Sequence, residues 1–222
     1  QNRDGTLEWV RLNAPTFGVD QPADPTDFRR GTGAPNSPPL VGPLYLAELL
    51  LASSPGGPAP YVELANLGDQ DQALTEPNDL PWRLEGRLSY SFPAAAAVPA
   101  RGRLLVVADD PGAFRQAHAI PDAVPVYGPA ILAPPGEGPT ETLQRPFPAE
   151  GPQEPPLFID LERLTVLQRG SWPAARPGVS LERLEPPRYV GEPDSWTALR
   201  PGGTPGRANT VPQRVYLPWS GS

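Results

Sequence analysis

Residues 88–110 read LSYSFPAAAAVPARGRLLVVADD, and this stretch decides the fold. Leu88, Tyr90 and Phe92 alternate with Ser89 and Ser91, the period of two that puts apolar side chains on one face of a half-buried strand. Farther along, LLVVA at 104–108 is uninterrupted and partly β-branched, as expected of a central strand covered on both sides. Directly after it, ADDPGAFRQAHA at 108–119 carries a helix-start signature. Asp109 or Asp110 can accept from the free amides of a first turn, and Pro111 suits the first helical position, where its missing donor is not needed.

Outward from this stretch the same grammar repeats. Leu44–Leu51 is apolar on both parities except at Glu48, and Tyr61–Ala65 and Trp82–Leu84 follow as further short β-like runs between turn signals. LFIDLERLTVLQ at 157–168 is ambiguous: Leu161, Leu164 and Leu167 fit a helical spacing, whereas Phe158, Leu164 and Val166 share a strand parity. Many short strands, few helices and Pro-rich connections predict an all-β antiparallel sandwich with one or two short helices. Pro (35) and Gly (22) together make about a quarter of the 222 residues, but an apolar share of 38% before Gly is counted, with a net charge of -7, is that of a folded chain.

Composition removes several chemistries. There is no Cys, no Met and one His, and all 18 basic residues are Arg. Disulfides, thiolate nucleophiles, zinc–thiolate and iron–sulfur sites, multi-His metal centres and Lys Schiff bases are therefore excluded. No run of 18 apolar residues exists, so no transmembrane helix is expected. Dispersed Arg in an acidic chain argues against nucleic acid, which requires a concentrated basic face. Gln1 in a chain without Met, together with the avoidance of Cys and Met, leads us to expect a processed chain that is secreted or displayed at the cell surface.

A family resemblance rests on the order of landmarks. LYLAELLL carries an embedded Glu48; YVELANLG at 61–68 retains Glu63 and Asn66, with Tyr61 where a Trp is usual; PWRLEG follows at 81–86, then YSFP and ARGRLLVVADDPGAF. The closing segments are SWP at 171–173, GVSLERLEPP at 178–187 and PDSWTALRPGGTPGRAN at 193–209. This succession resembles the lamin tail domain of secreted bacterial proteins across about residues 43–209, with a Pro-diluted departure at 125–156. The resemblance implies an immunoglobulin-like sandwich. It divides the chain into an N-terminal extension with one strand (1–42), a lamin-tail-like domain (43–210) and a C-terminal extension (211–222). Scaffolding of the nuclear kind does not carry over, because no heptad rod is present.

The residues themselves give the landmarks structural work. Trp82, Trp172 and Trp196 can fill a core while each indole nitrogen meets a loop carbonyl, Glu63 can receive backbone donors from a neighbouring loop, and Thr204-Pro205-Gly206 can set a fixed turn. Three acidic pairs could be read as acid/base or calcium positions. The structural readings fit better: Asp109 and Asp110 as helix caps, Asp160 and Glu162 as a solvated strand face, Glu137 and Glu141 as loop charge. His118 reads as a cation at a helix end rather than a catalytic base. No catalytic residue, cofactor or metal is therefore expected.

Two functional classes remain. The first is a non-enzymatic subunit with protein partners, forming a homo-polymer or a larger extracellular complex through TLEWVRL at 6–12 and QRVYLPWS at 213–220. These runs offer Leu7, Trp9, Val10 and Leu12, and Val215, Tyr216, Leu217 and Trp219, as β-prone residues for strand addition. The second is a carbohydrate- or ligand-binding module using Tyr127, Tyr189 or Trp219 as a platform.

Overall fold

The structure is a computed structural model that describes residues 40–134, 140–147, 155–166, 171–174 and 176–209. Fifteen strands lie among them. The first nine are β1 (Leu44–Leu50), β2 (Tyr61–Asn66), β3 (Gln72–Ala73), β4 (Thr75–Glu76), β5 (Leu80–Pro81), β6 (Arg83–Gly86), β7 (Leu88–Ser91), β8 (Ala97–Val98) and β9 (Arg103–Val107). After the helix α1 (Pro111–His118) come β10 (Val126–Tyr127), β11 (Ile131–Leu132), β12 (Thr140–Phe147), β13 (Leu157–Thr165), β14 (Leu181–Arg183) and β15 (Trp196–Thr197).

Of the two larger sheets, the first has the order β10-β9-β2-β1-β14-β15 and the second β11-β7-β6-β12-β13, while β3 with β8 and β4 with β5 form two-stranded ribbons. Every neighbouring pair is antiparallel except β10 with β9. The inner faces share one core: Leu46, Val62 and Leu104 from the first sheet pack in the same cluster as Leu84, Leu143 and Leu164 from the second. This is the expected all-β sandwich. The first sheet is also covered on its outer face, where Phe114, Ile120 and Val124 pack on Leu50, Tyr61, Leu105 and Val107. Burial on both faces explains why β1 and β9 read as continuous apolar runs rather than alternating ones.

The helix starts and stops as its sequence dictates. Asp110 accepts from the Ala113 amide at 2.7 Å, Pro111 opens the first turn, and Ala119 ends it in the left-handed region at φ 49°. Arg115 then donates to the carbonyls of Pro121 and Val124, which fixes the following loop. Two charged residues depart from expectation here and in β12. The His118 ring lies against Phe114, and partial burial lowers its pKa, the direction opposite to that expected of a helix-end cation. Glu141 is not a loop charge: it stands inside β12, fully buried opposite Gly86, and accepts from the Leu88 amide at 3.0 Å.

The ambiguous run 157–165 is strand. In the β12–β13 ladder, Leu143 faces Glu162 and Gln144 faces Asp160, so Leu161 is an extra residue in a bulge. The bulge reverses the parity, placing Ile159 and Glu162, three apart, on one face. A helical spacing in the sequence is thus produced by a bulged strand.

Candidate functional site

A row of glutamates crosses the outer face of the first sheet. Glu63 on β2 lies opposite Glu48 on β1, and Glu48 lies opposite Glu182 on β14. All three are fully buried. Their cover is the segment 202–209, whose backbone is shaped by the Gly-Thr-Pro-Gly turn. The Thr204 amide donates to Glu48 Oε1 at 2.8 Å, and the Gly206 amide donates to Glu63 Oε2 at 2.6 Å. The Thr204 hydroxyl sits between Glu48 Oε2 at 3.1 Å and Glu182 Oε2 at 3.4 Å. Tyr61 completes the row by donating from its hydroxyl to Glu48 Oε1 at 2.8 Å, with the Gly202 carbonyl at 3.1 Å.

Arg103 on β9 pairs with Glu63 of the row and with Glu185. Burial still dominates, pushing the Glu63 carboxyl up to about 8 against the pull of Arg103, and it raises Glu48 as well. Gly203, at φ 72°, lies so close that a Cβ there would run into the Glu48 carboxylate, the Tyr61 hydroxyl and Ser180. Gly203→Ala is expected to cost about 2–5 kcal/mol, the sum of a left-handed backbone and an overpacked site, read as a lower urea midpoint.

The same sheet is sealed to the second sheet by an ion pair. Arg183 on β14 donates through Nη1 to both oxygens of Glu162 on β13, at 2.8 and 2.7 Å. Ala47 is an extra residue in β1, because Leu46 faces Leu64 and Glu48 faces Glu63. At that bulge Glu162 accepts from the Leu46 amide at 2.6 Å, and the Leu46 carbonyl accepts from Arg183 at 3.3 Å. Asn209 closes the gap by donating to the carbonyls of Ala47 and Arg183, each at 2.8 Å. The expectation of a solvated face at Asp160 and Glu162 is therefore half corrected. Asp160 is exposed and pairs with Arg163, whereas Glu162 is buried because β13 crosses the bulge in β1.

The carboxylates with the strongest burial thus hold the chain's own amides, hydroxyls and guanidinium groups. Among the described residues no group of three His, Cys, Asp or Glu is arranged to hold a metal ion. Glu63 receives a loop amide, as its place in the sequence suggested. Trp196 donates to the Val190 carbonyl at 2.8 Å, but Trp82 donates to the Glu76 carboxylate instead, and the Trp172 nitrogen is buried with no partner among the described residues. Glu48, Glu182, Glu162 and Arg183 were not singled out as a group. The signal available was the odd Glu in LYLAELLL, since a lone charge in an otherwise apolar run marks a buried polar contact.

The residues expected to carry function fall elsewhere. Leu7, Trp9, Val10, Leu12, Val215, Tyr216, Leu217 and Trp219 lie outside the described residues, as does Glu137. Tyr127 and Tyr189 are half-buried and pack against the core; Tyr127 has its ring 6.2 Å from Tyr90 and 6.3 Å from Phe92. Large exposed apolar side chains collect instead on the outer strand of the second sheet: Leu157 (67% exposed), Ile159 (50%) and Leu161 (41%) on β13, beside Phe147 (55%) on β12. No helix among the described residues is long and apolar enough to cross a membrane. No protein-family model matches the chain, and neither does any curated protein.

Proposed function

We propose that the protein is a non-enzymatic extracellular structural or interaction subunit of lamin-tail type, which assembles with itself or into a larger cell-surface complex by strand addition. The observation that supports this reading best is β13. It is nine residues long and, among the described residues, pairs along one side only, with β12. Its Leu157–Asp160 half contains neither proline nor bulge, and Leu157 and Ile159 stand exposed there beside Phe147. The other outer strands, β10, β11 and β15, have two residues each, and Pro129 and Pro134 flank β11. Natural sandwiches blunt their edges with short strands, prolines, bulges and charges, and the Leu157–Ile159 end of β13, which follows Pro155-Pro156, has none of these within it. The added strand is another copy or one of the β-prone extensions, 6–12 or 213–220. The lamin-tail reading is supported by the convergence of its landmark residues, because Glu48, Glu63, Thr204, Gly206 and Asn209 all meet in one buried network.

Light scattering on three proteins tests this: the full chain, Ile159→Lys, and a deletion of residues 1–14. Assembly of the full chain at tens of micromolar, reduced at least tenfold in affinity by Ile159→Lys, is expected for strand addition at this edge. A deletion that leaves a stable monomer identifies the N-terminal extension as the added strand. A full chain that stays monomeric at high concentration contradicts the reading.

A further inference from the structure

The Thr204 hydroxyl has one proton to donate and two carboxyl oxygens beside it, Glu48 Oε2 and Glu182 Oε2. Were both carboxyls ionised, one of these contacts would set two acceptors against each other. A proton on Glu48 Oε2 resolves the arrangement. Glu48 then donates to Thr204 Oγ1, and Thr204 donates onward to Glu182, while Glu48 Oε1 continues to accept from Tyr61 and the Thr204 amide. We propose that the Glu48–Thr204–Glu182 bridge holds this one proton, and that the covering segment 202–209 is consequently a proton-linked latch on the outer face of the first sheet.

The surroundings favour retention of the proton. Glu48 has Glu63 on one side and Glu182 on the other, at the roughly 4.8 Å spacing of neighbouring strands. From β2 the row is faced by Tyr61 and Glu63, from β9 by Arg103, from β14 and its approach by Ser180 and Glu182, and from beyond β14 by Glu185. Arg103 is committed to Glu63 and Glu185, and among the described residues no ion pair reaches Glu48. Burial raises the Glu48 carboxyl in the same direction. When the proton leaves, the Thr204 hydroxyl has one proton to give to two adjacent buried carboxyl oxygens, and the segment that supplies it, 202–209, belongs to no strand. Asn209, at the end of this segment, leads directly into residues 210–222.

Hydrogen exchange of the full chain between pH 5.5 and 9, corrected for intrinsic rates, tests the latch. The amides of 202–209 are expected to lose protection above the midpoint more steeply than those of 61–66, which follow the global stability, by up to a further tenfold per pH unit, the limit for one proton. Glu48→Gln supplies a permanent amide donor to Thr204 and is expected to reduce the slope of 202–209 to that of 61–66. In the unmodified chain, the Glu48 carboxyl ¹³C resonance is expected to titrate above the normal carboxylate range. A flat profile for 202–209, an unchanged slope in Glu48→Gln, parallel loss of protection at 61–66, or a Glu48 resonance titrating near 4.5 would each overturn the proposal.

Discussion

Arg183→Ala is expected to lower the unfolding free energy by about 3–5 kcal/mol, because it leaves the Glu162 carboxylate buried without its counter-charge. The guanidinium also donates to the carbonyls of Leu46 and Arg188 and lies between the Tyr45 and Trp196 rings, so truncation opens a void and orphans two acceptors as well. For a domain of this size such a loss corresponds to a fall in Tm of about 10 °C. Replacing both partners with Leu is expected to recover part of the loss, since the desolvation cost of the pair disappears with the pair. A calorimetric Tm within 2 °C of the parent for Arg183→Ala would show that the seal between the sheets is held by something else.

The melting temperature is also expected to fall, by the order of 10 °C, between pH 5 and pH 8.5. Burial raises Glu63 and Glu141 from 4.5 to about 8 in the folded chain. Between those values the folded state binds more protons than the unfolded state, so ∂ΔG/∂pH is negative. The contribution is complete below about 4.5 and is lost as pH rises through about 8. Glu76, lowered by its hydrogen bond with Arg145, acts in the opposite direction at acid pH, but at a largely solvent-screened site. Glu141→Gln is expected to flatten part of the alkaline decline, since the carboxyl accepts one amide in β7 and its other oxygen has no partner among the described residues. A Tm that rises steadily to pH 8.5 would mean that these carboxyls are ionised and satisfied in the fold.

What was legible in the sequence was what local pattern controls. LSYSF became β7 with Phe92 buried at its end, LLVVA became β9, and Asp110-Pro111 began the helix, because alternation and capping each act over a few residues. Glu63 takes a loop amide and Thr204-Pro205-Gly206 lies in a turn, as their places in the sequence suggest, because a charge inside an apolar strand needs a donor and a turn needs its own residue types. Bulges defeated periodicity: Leu161 in β13 and Ala47 in β1 each put residues three apart on one face. The buried charges were illegible for a different reason. Glu162 meets Arg183 at a separation of 21 residues and the Leu46 amide at 116, and Thr204 meets Glu48 at 156. Long-range pairing of this kind leaves no local trace, so Glu162 and Glu141 look like surface charge until the sheets are assembled.

The exposed half of β13 links this architecture to the assembly reading, and sedimentation velocity of the intact 222-residue chain from about 1 to 200 µM tests it most directly. The account predicts a sedimentation coefficient that rises with concentration as copies add to one another. A single species of 23.7 kDa across the whole range would contradict it.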